Sequence, residues 1–173
     1  GAPVTHLLSN GRYAIMLTAT GAGYSHWQEF AISRWQEDTT CDPYGSFIFV
    51  RDIDTGQLWS SCAQPLGCEN SGLNGLFEED HAQFVCHDAD LTTTTDVLVS
   101  GEDDGEVRRV TLSNNGRKNR EIELTSYIEL VLSKAQADHA HPAFIKMFVQ
   151  TEYIPEYQAL IATRRLRSAD ESP

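Results

Sequence analysis

Apolar and polar residues alternate along this chain in short runs, each bounded by turn-forming residues. Tyr13 to Thr18 reads as a strand after the turn Ser9-Asn10-Gly11. Phe30 to Trp35 reads as another, with Phe30 and Ile32 on one face, and Gly45 to Asp52 as a third. Asp54-Thr55-Gly56 is a hairpin signal, and Leu58-Trp59-Ser60 is the returning strand. Phe84 to His87, Leu91 to Val99 and Glu106 to Leu112 continue the series. Thr92 to Thr95 are β-branched, and their stiff side chains favour extended backbone over helix.

The clearest alternation places Ile122, Leu124, Ile128, Leu130 and Leu132 at even positions, with Glu121, Glu123, Thr125, Tyr127 and Glu129 between them. Period two over this length predicts one long strand with one buried face. The turn Ser113-Asn114-Asn115-Gly116 precedes it, and Ile145 to Thr151 and Gln158 to Arg164 supply two more strands. No stretch carries a helical period with caps at both ends. Many strands at roughly 8–12-residue spacing predict an all-β antiparallel sandwich or barrel. Gly67 to Gly75 reads as a polar loop and Arg167 to Pro173 as a fraying tail.

At 173 residues the chain suits a single domain with its own core. Its formal net charge of −12 argues against nucleic acid or an anionic membrane surface as partner. The longest apolar stretches, Phe47 to Val50 and Ile128 to Leu132, are far too short to span a bilayer. A soluble domain is therefore expected. Cys41, Cys62, Cys68 and Cys86 form no Cys-x-x-Cys pair. Without a visible secretory signal they are expected to be reduced, although Cys62 and Cys68 could close a small loop in a secreted protein.

Candidate chemistry is sparse. Gly21-Ala22-Gly23 lacks the third glycine of a dinucleotide fingerprint, so these glycines read as turn formers rather than a cofactor cradle. No cofactor is implied. Tyr24, His26 and Trp27 set aromatic and polar rings beside that flexible turn, a composition that suits sugars. The simpler expectation is that Trp27 and Trp35 are core residues. Glu78-Glu79-Asp80 and Glu102-Asp103-Asp104 read as solvated turns, since sequence neighbours on a strand point to opposite faces. His139-Ala140-His141 would need a third ligand to hold a metal, and Pro142 reads as part of a loop, so no metal site is assigned. His81 and His87 read as isolated structural residues. No nucleophile elbow or Cys/His signature is present.

Several segments together resemble the N-terminal β-sandwich domain of glycoside hydrolase family 94. They begin with Leu8-Ser9-Asn10-Gly11-Arg12-Tyr13, Gly21-Ala22-Gly23-Tyr24-Ser25, Arg34-Trp35 and Arg51-Asp52-Ile53-Asp54-Thr55-Gly56. They continue with Glu106 to Asn114, Thr125 to Glu129, His141-Pro142-Ala143-Phe144, Phe148 to Glu152 and Arg164 to Arg167. Single motifs are weak, but their order over nearly the whole chain is specific. The opening motif and the His-Pro-Ala-Phe segment resemble the cyclic β-1,2-glucan synthase branch most.

The resemblance implies an antiparallel super-sandwich of the mutarotase type. It further implies that residues 1–173 are a fragment of a larger enzyme whose catalytic (α/α)₆ barrel is absent, so that this domain is not itself an enzyme. Its open sandwich edge would invite dimerisation, and the parent would be a bacterial inner-membrane protein. By the same match Tyr24 is the leading carbohydrate contact, followed by Gln28, where the family has a basic residue, and Lys146. The implied partners are a β-glucan or oligosaccharide, bound weakly in isolation, and the parent's barrel. A sugar-facing role predicts Tyr24, Gln28 and Lys146 on adjacent loops at one end of the sandwich. A scaffold or dimerisation role predicts them scattered, with Trp27 and Trp35 buried. A free-standing carbohydrate-binding module predicts an exposed aromatic platform.

Overall fold

The computed structural model describes residues 4–37, 43–67 and 75–166. The chain runs β1 (Thr5–Ser9), β2 (Tyr13–Thr18), β3 (Gly23–Trp27), β4 (Phe30–Ser33), β5 (Ser46–Asp52), β6 (Leu58–Ser60) and β7 (Gly75–Phe77). It continues with β8 (His81–Asp88), β9 (Leu91–Val99), β10 (Glu106–Asn114), β11 (Ile122–Ile128) and β12 (Leu130–Lys134). Two short helices follow, α1 (Ala135–Ala140) and α2 (Pro142–Lys146), then β13 (Val149–Ile154), a 3-10 turn at Pro155–Tyr157 and β14 (Ala159–Arg164). Every strand pairing is antiparallel. Among the described residues no helix is long and apolar enough to cross a membrane.

The sheets form an all-β two-layer sandwich. One layer is the four-stranded sheet β10-β9-β8-β7. Its inner face follows from strict alternation: Ala82, Phe84 and Cys86 on β8, and Leu91, Thr93, Thr95 and Val97 on β9, are all buried. Two sheets share the opposite layer. Leu8, Tyr13, Ile15 and Leu17 of the five-stranded sheet β1-β2-β3-β4-β12 pack on Ala82, Phe84 and Val97. Val50 and Trp59 of the sheet β11-β5-β6 pack on Cys86 and Leu91. The hairpin β13-β14 stands apart as a two-stranded sheet.

The predicted long strand is broken. Its first part, β11, pairs with β5, and its second part, β12, pairs with β4 in a different sheet. Glu129 lies at the crossing, and its backbone carbonyl accepts the Arg34 N–H at 2.9 Å. A bulge follows between Leu130 and Ser133, with Leu132 at φ 51°. The extra residue reverses the side-chain parity. Val131 and Ser133 are buried on β12, whereas Leu124, Tyr127 and Ile128 on β11 are exposed. The even positions therefore do not form one buried face.

Other expectations also change. The segment around Pro142 is helical rather than a loop. Ala135, Ala137 and Ala140 favour helix, and Pro142 sits at the first position of α2, where its missing N–H costs nothing. Ile145 belongs to α2, so the following strand begins at Val149. Cys86 is disulfide-bonded, against the expectation of reduced thiols. Cys62 is free, so it does not close a loop with Cys68, and burial pushes its thiol up to about 11. Cys41, Cys68, most of the Gly67–Gly75 loop and the tail from Arg167 lie outside the described residues.

The acidic turn Glu102-Asp103-Asp104 is exposed, as expected of a solvated turn, and it is also tied to the β1–β2 turn and β3. Asn10 Nδ2 donates to the carbonyls of Ser100 and Asp103 at 2.8 and 2.9 Å. Arg12 Nε and Trp27 Nε1 each reach an Asp104 oxygen at 2.6 Å, and together they hold that carboxyl below its ordinary pKa. Beneath this latch, Glu106 projects from β10 into the five-stranded sheet. It accepts from Tyr13 Oη at 3.0 Å, Ser25 Oγ at 2.5 Å and Arg108 Nε at 2.7 Å. Burial works to raise the Glu106 pKa, but the Arg108 charge and these donors outweigh it and the net shift is downward.

Two predictions follow from this packing. Gly23 has φ 155°, and a Cβ there would lie 1.9 Å from the Met16 carbonyl oxygen across the β2–β3 pair. Gly23→Ala should cost about 3 kcal/mol in urea denaturation, because backbone must move to admit it. Glu106 binds its proton less tightly folded than unfolded, so its stabilisation is present above the unfolded value near ~4.3 and is lost as pH falls through the folded one. Unfolding free energies measured between about pH 3 and 7 should fall on the acid side, and Glu106→Gln should flatten that limb.

Candidate functional site

A cavity of about 320 Å³ opens between the β3–β4 hairpin and α1. Tyr24 and His26 are two residues apart on β3, so both point to the same side. Their ring centroids are 6.1 Å apart. Trp35, just beyond β4, tilts 52° against Tyr24 at 5.7 Å. The two rings make an angled aromatic wall, a shape that accepts the C–H face of a flat ligand. Gln28 and Glu29 form the rim in the turn between β3 and β4, while Val131, Ala135 and His139 help close the far side.

The rim is held in an uncommon conformation. Gln28 has φ 49°, in the left-handed region that costs a non-glycine residue roughly 1 kcal/mol. Its N–H donates to the Arg12 carbonyl at 2.7 Å, and His26 Nδ1 donates to its carbonyl at 3.1 Å. These bonds fix the backbone at Gln28 and leave its side chain exposed.

Arg34 forms the floor. It is buried, and Nε and Nη2 donate to the two Asp138 oxygens at 2.9 and 2.6 Å. Nη1 donates to Glu129 Oε2 at 3.0 Å, and Nη2 also reaches the Pro142 carbonyl at 3.3 Å. The Asp138 hydrogen bonds raise the Arg34 pKa above its ordinary value, against the opposing effect of burial. One guanidinium therefore joins the end of β4, the β11–β12 crossing, α1 and the start of α2. His139 adds a second tie by donating Nε2 to the Trp35 carbonyl at 3.0 Å.

Tyr24 and Gln28 line this one cavity, but Tyr24 lies on a strand and not on a glycine-rich loop. The Gly21 and Gly23 conformations serve close packing instead: a Cβ at Gly21 would fall 2.4 Å from the Cys62 Cβ. Lys146 does not line the cavity. It ends α2, with Nζ 3.5 Å from the same Glu129 oxygen that binds Arg34. Trp35 is half-buried in the cavity wall and not in the core. Trp27 is also half-buried, stacking on Phe30 at the edge of the core, and the buried tryptophan is Trp59.

Sequence reasoning missed the roles of Arg34, Glu129 and Asp138. Arg34 was visible only as part of a two-residue motif, and Asp138 only as a neighbour of two histidines. Asp138 spends both oxygens on Arg34, and His139 spends one ring nitrogen on Trp35, so the His139 segment is a structural tie. Among the described residues, Glu78, Asp80 and His81 are the grouping close enough to share a cation. Glu78 and Asp80 are exposed in the β7–β8 turn, and His81, half-buried at the start of β8, is paired with Asp80 at 2.9 Å rather than isolated.

Comparison with known proteins places this arrangement in a family. The chain is 44% identical over 164 residues to the cyclic β-(1,2)-glucan synthase NdvB of Rhizobium meliloti, covering 95% of this chain and 6% of that protein. It is 24% identical over 157 residues to the N,N'-diacetylchitobiose phosphorylase of Vibrio furnissii, and 24% over 162 residues to that of Vibrio proteolyticus. Those alignments cover 88% and 89% of this chain and 20% of each enzyme, so the chain spans a small part of each relative. Residues 1–173 match throughout the profile described as the glycosyl hydrolase 94 supersandwich domain, and the chain belongs to that family.

Proposed function

We propose that this chain is a non-catalytic, carbohydrate-facing domain of a glycan-processing transferase or phosphorylase, of the cyclic β-1,2-glucan synthase kind. The observation that carries this reading is the cavity walled by Tyr24 and Trp35, with the Gln28 amide at its rim. Angled rings take the apolar faces of a pyranose, and an amide can both donate to and accept from its hydroxyls. The identity to the named synthase supports the β-1,2-glucan as ligand class. Lys146 contributes by orienting Glu129 beneath the cavity.

In this reading chemistry belongs to a barrel elsewhere in the parent, whose membrane association would also reside outside this domain. Affinity in isolation is weak, because a cleft shared between two domains divides its contacts. A separate observation favours an additional scaffold role. Tyr153, Tyr157, Leu160 and Ile161 are exposed around the β13-β14 hairpin, and an isolated two-stranded hairpin is marginal in water. The barrel or a second copy could cover that surface.

The test is Tyr24→Ala in the full-length parent. Losing one stacking ring should lower glucan processing about tenfold, with unchanged thermal unfolding of the domain. Unaltered processing kinetics in a folded variant would refute the sugar-facing role and leave the scaffold role.

A further inference from the structure

We propose that Asn115 is a site of spontaneous deamidation, and that the fold shields Asn10, which stands in the same Asn-Gly context, from that reaction. The sequence holds three Asn-Gly pairs, at Asn10, Asn74 and Asn115. Asn74 lies outside the described residues. The other two sit in turns just after β1 and β10, and their surroundings differ in one respect that matters chemically.

Glycine has no Cβ to hinder its own backbone nitrogen from approaching the side-chain carbon of the residue before it. The Gly116 nitrogen, on losing its proton to a base in solvent, would attack Asn115 Cγ. The N–Cγ bond forms, the Cγ–Nδ2 bond breaks, and Nδ2 leaves as ammonia with a proton taken from water. Water then opens the resulting five-membered imide at either carbonyl, giving aspartate or isoaspartate. The nucleophiles of the two pairs are equally engaged. Gly116 N–H donates to Asn114 Oδ1 at 3.0 Å, and Gly11 N–H donates to Ser9 Oγ at 3.0 Å.

The difference lies in the side-chain amides that must turn to meet them. Asn10 Oδ1 accepts from the Arg12 and Tyr13 N–H groups at 3.0 and 2.8 Å. Its Nδ2 donates to the Ser100 and Asp103 carbonyls at 2.8 and 2.9 Å. Four bonds therefore hold that amide between two turns. Among the described residues the Asn115 amide makes one hydrogen bond, from Nδ2 to Thr92 Oγ1 at 3.3 Å, and the residue is exposed. Its amide is free to rotate toward Gly116 at little cost. The product adds a negative charge beside Asp90, whose carbonyl accepts the Asn115 N–H at 2.8 Å.

The test is incubation of this chain in mildly alkaline buffer, followed by peptide-resolved mass spectrometry that reads amide loss at Asn10 and Asn115 separately. One arm is folded, as verified by cooperative thermal unfolding, and the other is held unfolded in urea. In the folded arm Asn115 should convert at least about tenfold faster than Asn10, because even one further net hydrogen bond to break slows a step by about that factor. In urea the two rates should converge. The Asn115 product should be a mixture of aspartate and isoaspartate. Equal rates in the folded chain, or a ratio unchanged in urea, overturns the shielding of Asn10 by the fold. No conversion at Asn115, or aspartate as its only product, overturns the imide route.

Discussion

Arg34 is buried with both of its acidic partners in reach, and the geometry around it organises one end of the molecule. A guanidinium taken out of water is costly unless its donors are satisfied. Here Asp138 accepts two of its bonds and Glu129 a third, and the Arg34 N–H binds the Glu129 carbonyl where the chain crosses between sheets. The Arg34 N–H extends the β4–β12 pairing by one residue to the Glu129 carbonyl at the crossing, so the Arg34 backbone and side chain both bind the same residue. Such a pair adds little net stability over an apolar replacement, but losing one partner strands a buried charge, at about 3–5 kcal/mol. Its contribution is to fix where α1 lies against β4, and that sets the depth of the cavity.

The remainder of the sandwich positions the opposite wall. β3 carries Tyr24 and is clamped between β2 and β4. Close approach at Gly23 seats one end of β3 on β2, and the Trp27–Asp104 bond fixes the other. Ser25 faces inward from the middle of the strand and reaches Glu106. Alternation then forces Tyr24 and His26 outward into the cavity. Core packing and ligand-facing chemistry are thus two faces of a single five-residue strand.

Much of the fold was legible in the sequence. Period-two runs marked β9 and β10, because each keeps one face on the core and alternates in burial, while β2, β5 and β6 were marked as short apolar runs bounded by turn residues. The run from Ile122 to Leu132 misled for a physical reason. Alternation reports side-chain parity, and a bulge at Leu132 with a change of sheet at Glu129 leaves no trace in hydrophobicity. The short helices were hidden because two turns cannot establish a period. Motif resemblance singled out Tyr24 and Gln28, which the structure brings to one cavity. The Arg34–Asp138–Glu129 set was not legible, since Arg34 lies about a hundred residues from both carboxylates and meets them only through the tertiary fold.

The central claim is that the surface above Arg34 meets carbohydrate. It is tested most directly by mapping backbone and indole chemical shifts of this chain during titration with β-1,2-linked gluco-oligosaccharides. The account predicts changes concentrated at Tyr24, His26, Gln28 and the Trp35 indole, with Trp59 unaffected. Perturbations clustered instead on the β13-β14 hairpin, or none at millimolar ligand, would contradict it.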